Sequence, residues 1–188
     1  NQRRTNMSKE TYNFSNVKVF WAKVDPANPE APFRDNGTKP FTWNMVIGLD
    51  DKTSEAFKAL KMNKFRRDGE GDLKLEDGLK TIAVSKSATF GRKGGPKKPV
   101  IVVDTYGNPY TGLIGNGSIC NVQCSVRDWI YEGQPGKTAD LEAIQILELV
   151  EYESGGDSFT PNFEFKEQQK VDLAEVTAGV EEEEHIPF

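Results

Sequence analysis

One histidine and two cysteines are all that 188 residues offer for the chemistry those side chains usually carry. The histidine, His185, stands in an acidic C-terminal run. Ser–His–Asp and Cys–His mechanisms therefore lack a base in the body of the chain. Structural or catalytic zinc needs three or four nitrogen, sulfur or carboxylate ligands, more than two cysteines and a remote histidine supply. Cys120 and Cys124 lie four apart on one strand-like face, a separation of about 13 Å in extended chain. A disulfide needs α-carbons within about 7 Å, so both are expected to be core thiols in a reducing compartment. No phosphate-cradling or dinucleotide glycine motif occurs, and Gly94-Gly95 reads as a turn. No apolar run approaches the length of a membrane span. Asn1 to Asn6 are polar, with Arg3 and Arg4 and no apolar stretch behind them, so no secretory leader is expected and Met7 is the expected start. These absences argue against an enzyme.

What is present is a chain of 36% hydrophobic and 28% charged residues, long enough for one domain with a real core. Its net charge of −5 is unevenly placed. Asp172, Glu175, Glu181, Glu182, Glu183 and Glu184 stand in the last 17 residues without a lysine or arginine, and the remaining body is nearly neutral. A strand-like hairpin organises the rest. In Ile119 to Ile130, Cys120, Val122, Cys124 and Val126 alternate with Asn121, Gln123, Ser125 and Arg127, the period-two pattern of a half-buried strand. Glu132 to Thr138, with Gly133, Pro135 and Gly136, reads as the bend, and Leu141 to Tyr152 as the return strand. A helix is the competing reading of that return run.

Three further strands precede the hairpin. Tyr12 to Val24 is the first, with Phe20, Ala22 and Val24 opposite Val17, Val19, Trp21 and Lys23. Phe41 to Leu49 is the second, its apolar face carrying Phe41, Trp43, Met45 and Ile47, and Lys80 to Phe90 is the third. Asp50 or Asp51 caps a helix expected over Ser54 to Phe65. Arg66 to Gly78 reads as loop or frayed helix, Gly91 to Lys98 as a basic hairpin tip, and Pro99 to Asp104 as a short buried strand. The expected class is all-β: a five-stranded OB-fold barrel with one helix inserted between its second and third strands. The division expected is a flexible N-terminus over 1–11, the barrel over 12–153, and a linker with a disordered acidic tail over 154–188.

Such barrels often hold oligonucleotides, although the fold alone does not give function. Binding a single strand without regard to sequence takes rings on which bases stack and basic groups along the phosphates. Trp21 beside Lys23, and Arg127 beside Trp129 and Tyr131, supply that pairing; Lys80, Lys86, Arg92 and Lys93, with Arg34 and Lys39 in the first long loop, add basic groups. The plainer reading stands next to this one. Trp43, on a face with Phe41 and Ile47, is expected in the core, Trp21 could be core or site, and any single lysine could be ordinary solvated surface.

The order of several short stretches resembles the OB-fold single-stranded-DNA-binding proteins of short-tailed phages. The similar stretches are Ala22-Lys23 with the Asp/Pro loop behind it, Pro99 through Asp104 with its Gly turn, and Gly115-Asn116-Gly117-Ser118. Val122 and Ser125 through Trp129 and Tyr131, Leu141 through Leu149, and an acidic tail ending in Phe188 complete the series. The resemblance implies single-stranded-DNA binding during phage replication and recombination, in the cytoplasm of the infected host, with no cofactor and no membrane. It also implies that the tail, through Glu181, Glu182, Glu183, Glu184 and Phe188, contacts replication partners; homo-oligomerisation stays open. A virion structural or assembly protein with an acidic interaction tail is the alternative from another class, and a metal-dependent nuclease is the third.

Overall fold

The computed structural model describes residues 10–31, 37–62 and 64–151. The expectations placed on Arg34, on the acidic segment 172–188 and on the division beyond residue 151 lie outside them. The described chain forms β1 (Thr11–Lys23), β2 (Thr42–Leu49), α1 (Asp51–Ala59), β3 (Leu75–Glu76), β4 (Leu79–Ser87), β5 (Ile101–Val103), β6 (Ser118–Tyr131) and β7 (Gln134–Glu148).

Five of these strands close on themselves. β1 pairs antiparallel with β2 and with β6, β2 with β4, and β6 with β7. The ring is completed where β4 meets β7 in parallel, at Ser85 opposite Asp140. β3 adds to β4, and β5 to β7. This is the five-stranded OB arrangement, with the helix between the second and third barrel strands as expected. Closure removes the free edges that an open sheet would expose.

The core follows from alternation. Val19, Met45, Ile47, Ile82, Val84, Cys120, Val122, Cys124, Leu141 and Ile144 are all buried inside the barrel. Trp43 joins them as expected, its indole N–H donating to the Asp25 carbonyl at 2.8 Å. The helix closes one part of this core through Phe57, whose ring centroid lies 5.6 Å from that of Phe14 and 6.3 Å from that of Phe65.

Several local expectations are corrected. The helix starts earlier and stops sooner than the apolar spacing predicts. Asp50 caps it by accepting from the Thr53 amide at 2.7 Å, and it ends at Ala59, before Lys61 turns left-handed at φ 51°. Phe65 instead bridges Ile82, and Arg66 to Gly78 contributes the short strand β3 rather than loop or helix alone. The β6–β7 bend is two residues, Glu132 and Gly133, both with positive φ; Pro135 and Gly136 belong to β7. Left-handed dihedrals at both turn positions suit a two-residue hairpin, and Gly133 adopts one without a Cβ penalty.

Strict alternation also fails at bulges. Register slips between Gln123 and Cys124, so Ser125 is buried at 2% exposure rather than on the wet face. A second slip between Phe20 and Lys23, with Trp21 at φ 51°, buries Val19 and Phe20 in succession and turns Trp21 outward. Phe41 lies just before β2 and is 55% exposed, not core, and Ile101 faces outward between buried Val100 and Val102. Among the described residues no helix is long and apolar enough to cross a membrane.

Candidate nucleic-acid interface

Beyond Val126, whose amide still donates to the Glu10 carbonyl at 2.8 Å, the β6–β7 ladder continues from Arg127 and Thr138 as a two-stranded arm that ends at the Glu132-Gly133 turn. Alternation puts Arg127, Trp129 and Tyr131 on one face of that arm. Arg127 is opposite Thr138, and Trp129 is opposite Gly136. Each side chain leans one step further along the partner strand. Arg127 donates from Nε to Asp140 Oδ2 at 2.9 Å, and Trp129 Nε1 donates to Thr138 Oγ1 at 2.9 Å. The indole is 40% exposed and Tyr131 is 67% exposed. Asp140 holds the guanidinium more firmly protonated through that hydrogen bond and its charge.

Beside the arm lies a cleft of about 1260 Å³, bounded by β4, the hairpin after it, and the arm's base. Four basic groups, Lys86, Lys97, Lys98 and Arg127, line it, and so do four acids, Glu10, Asp128, Asp140 and Glu142. The cleft thus carries no net charge. Lys86 is tied to Glu142 at 2.6 Å, and Ser125 Oγ donates to the same carboxylate at 2.7 Å. Phe90, largely exposed, forms the cleft's aromatic wall, with Lys97 Nζ 5.1 Å from its ring centroid. That contact is within cation–π range.

Of the residues expected at a site, the fold brings Lys86 and Arg127 into one cleft and sets Trp129 and Tyr131 on the arm above it. Arg92 and Lys93 occupy the exposed tip of the hairpin that presents Phe90 and Lys98, and Lys39 is exposed in the first long loop. Among the described residues no ion pair engages Arg92, Lys93 or Lys98. The other expected residues are placed elsewhere. Lys80 opens the strand that Lys86 nearly closes, about 20 Å away along β4, and it faces Asp51 at 3.9 Å. Trp21, 53% exposed, is held by Asn116 and directs its indole N–H toward Glu76 on the β3 side. Lys23 is paired with Glu30 at 2.6 Å.

Sequence reasoning misses Phe90 and the four acids as site residues and takes Lys98 only as part of the basic hairpin tip. Phe90 carries a visible signal, a ring directly before a basic Gly-rich tip. Asp140 and Glu142 carry none, because acids on a strand look like ordinary wet-face residues until the barrel sets them against Arg127 and Lys86. Among the described residues no group of three or more His, Cys, Asp or Glu is placed to hold a metal ion.

The barrel fold has solved counterparts. It superposes on gp2.5, a single-stranded DNA binding protein encoded by bacteriophage T7, with a TM-score of 0.54 and 16% identity, over 82% of this chain and 97% of that one. What is shared is the fold. The single-stranded DNA-binding protein of bacteriophage Enc34, in complex with single-stranded DNA, matches with a TM-score of 0.47 and 13% identity, over 77% of this chain and 89% of that one. Its C-terminal truncation matches at 0.48 and 14%, over 76% and 88%. No protein-family model matches the sequence, and neither does any curated protein.

Proposed function

We propose that this protein binds single-stranded DNA, without strong sequence preference, on the β6–β7 arm and the cleft beneath it. The observation that carries this reading is the row of Arg127, Trp129 and Tyr131 on one exposed face of the arm that extends from an OB barrel. Rings take bases of any identity, because every base has a π-face, and the guanidinium takes phosphate. The fold shared with gp2.5, a single-stranded DNA binding protein, supports the same assignment. A binding role in phage DNA replication and recombination, rather than catalysis, is the reading that suits both.

The neutral cleft refines the balance of forces. Its basic groups are matched in number by carboxylates, and Lys86 and Arg127 are paired directly with Glu142 and Asp140, so stacking supplies much of the affinity. Phosphate contacts come chiefly from Arg92, Lys93 and Lys98. About three to five contacts give a salt slope of roughly −2 to −3.5 on a log–log scale. The acidic segment 172–188, with six carboxylates and a terminal phenylalanine, is proposed to compete with DNA for these groups and to dock replication partners. Its deletion then tightens DNA binding at low salt, with the gain fading as screening rises.

The test is a fluorescence titration of the protein with oligonucleotides of several compositions. Binding quenches tryptophan emission, and a stacked base is worth about 1–3 kcal/mol, so Trp129→Ala weakens affinity fivefold or more. Equal affinity of a folded Trp129→Ala protein and the wild type removes the arm from the interface.

A further inference from the structure

A two-stranded ribbon outside a barrel is a poor place for a rigid binding group, since isolated hairpins are marginally stable in water. Trp129 nevertheless has a fixed seat. Its indole lies across Gly136, its ladder partner, so closely that a Cβ added at Gly136 would overlap Cζ2, Cε2 and Cη2 of the ring. Only glycine leaves that space. Thr138 Oγ1 then accepts the indole N–H at 2.9 Å, which fixes the ring's rotation about its long axis. A ring lying on a glycine of the facing strand is a recognised means of steadying a sheet where a side chain is missing. Here it also covers one face of the indole with backbone and leaves the other to solvent.

We infer that Gly136 and Thr138 are positioning residues, which hold Trp129 as a one-sided stacking platform for a single unpaired base. The inference rests on the proposed single-stranded-DNA reading and adds to it how the ring is prepared before DNA arrives. Because the indole's inner face is already occupied, the platform takes one base and does not intercalate between two. Tyr131 follows on the same face two residues on, about 6.4 to 6.8 Å along the strand. That spacing is roughly twice the 3.4 Å separation of stacked bases along one strand of a duplex. Bases meeting both rings must therefore be drawn apart, which a single strand allows and a paired duplex resists. Arg127, two residues to the other side of Trp129, stands where the extended strand's phosphate would continue along the row.

Thr138→Val keeps the size of the side chain and removes the acceptor, and Thr138→Ser restores it. Two readouts test the inference. Without DNA, the Trp129 indole N–H resonance, assigned by its loss in Trp129→Phe, shifts and exchanges faster with solvent in Thr138→Val and returns in Thr138→Ser. An unchanged resonance and exchange rate in Thr138→Val would overturn the positioning. With a dT oligonucleotide, Thr138→Val weakens binding about threefold in the wild-type background, Thr138→Ser does not, and Thr138→Val has no further effect in Trp129→Ala. Equal losses in the two backgrounds, or no loss in either, also overturn it. A wild-type protein that fails to bind the oligonucleotide refutes the functional reading instead, while the resonance still decides whether the ring is held.

Discussion

Lys86 Nζ lies 2.6 Å from Glu142 Oε2, and both side chains are mostly buried at the floor of the cleft. The lysine that the sequence offers as a phosphate contact is therefore already neutralised from within. Glu142→Gln keeps the hydrogen-bonding shape and removes the charge. We expect it to tighten single-stranded-DNA binding about threefold at low salt and to steepen the salt slope by about 0.7, the value of one added phosphate contact. Folding stability should fall by about 1–2 kcal/mol, less than for a fully buried pair, because the ammonium loses its partner. An unchanged salt slope in a folded Glu142→Gln protein would show that Lys86 stays out of reach of DNA.

Trp21 provides the opposite case. It is the more exposed of the two surface tryptophans, but its indole turns to Glu76 on the β3 side, away from the cleft. Trp21→Ala should leave DNA affinity within about twofold, against fivefold or more for Trp129→Ala. Its backbone conformation is held by the Asn116 side chain, which accepts the Trp21 amide at 2.7 Å. Asn116→Ala should therefore cost about 1 kcal/mol of stability in a denaturant melt with DNA binding unaffected. A large loss of affinity in Trp21→Ala would move the interface to the other side of the barrel.

These two tryptophans also show what a sequence makes legible. The five barrel strands, the Asp50-capped helix between the second and third, and the burial of Trp43 follow from alternation and capping, because those signals are local. Trp21 could not be assigned, since its direction depends on a bulge whose register is set by β2 and Asn116. Ser125 is misplaced for the same reason, one slip of register reversing the face. The Arg127–Trp129–Tyr131 row was readable because no slip interrupts the arm after Cys124. Asp140, Glu142 and Thr138 gain their roles only across the ladder, from partners that no single-strand pattern reveals.

The hairpin after β4 should supply most of the salt dependence. Its tip is held by Phe90 N–H donating to Gly95 O at 3.0 Å and by Lys97 N–H donating to Ala88 O at 2.8 Å. It carries Arg92 and Lys93 outward, with Lys98 on the cleft wall. Replacing these three by alanine should reduce the salt slope by about 2, with a loss of affinity that is similar for all base compositions. Phe90→Ala should weaken binding further while leaving the slope alone, as expected of a stacking wall. A slope that survives the triple replacement would assign the phosphate contacts to residues other than this hairpin.

The two cysteines permit a prediction about stability alone. Cys120 and Cys124 are free thiols with no exposed surface, and burial pushes both up from 9.0 to about 12, with the nearby charges of Asp140 and Glu142 adding to the rise at Cys124. The folded protein thus keeps protons that the unfolded chain gives up. Their favourable contribution is complete below pH 9 and is lost as pH rises toward 12, at about 1.4 kcal/mol per pH unit for each thiol in that window. Tyrosines and lysines also titrate there, so the comparison is with the Cys120→Ala/Cys124→Ala protein. The variant is less stable than wild type at pH 8, because two buried sulfur atoms are removed, and its deficit should shrink between pH 9 and 12. At pH 8 the folded wild type should resist Ellman's reagent and release two equivalents only when denatured. Rapid stoichiometric labelling of the folded protein, or a deficit that stays constant up to pH 12, would contradict the burial of these thiols at the centre of the barrel.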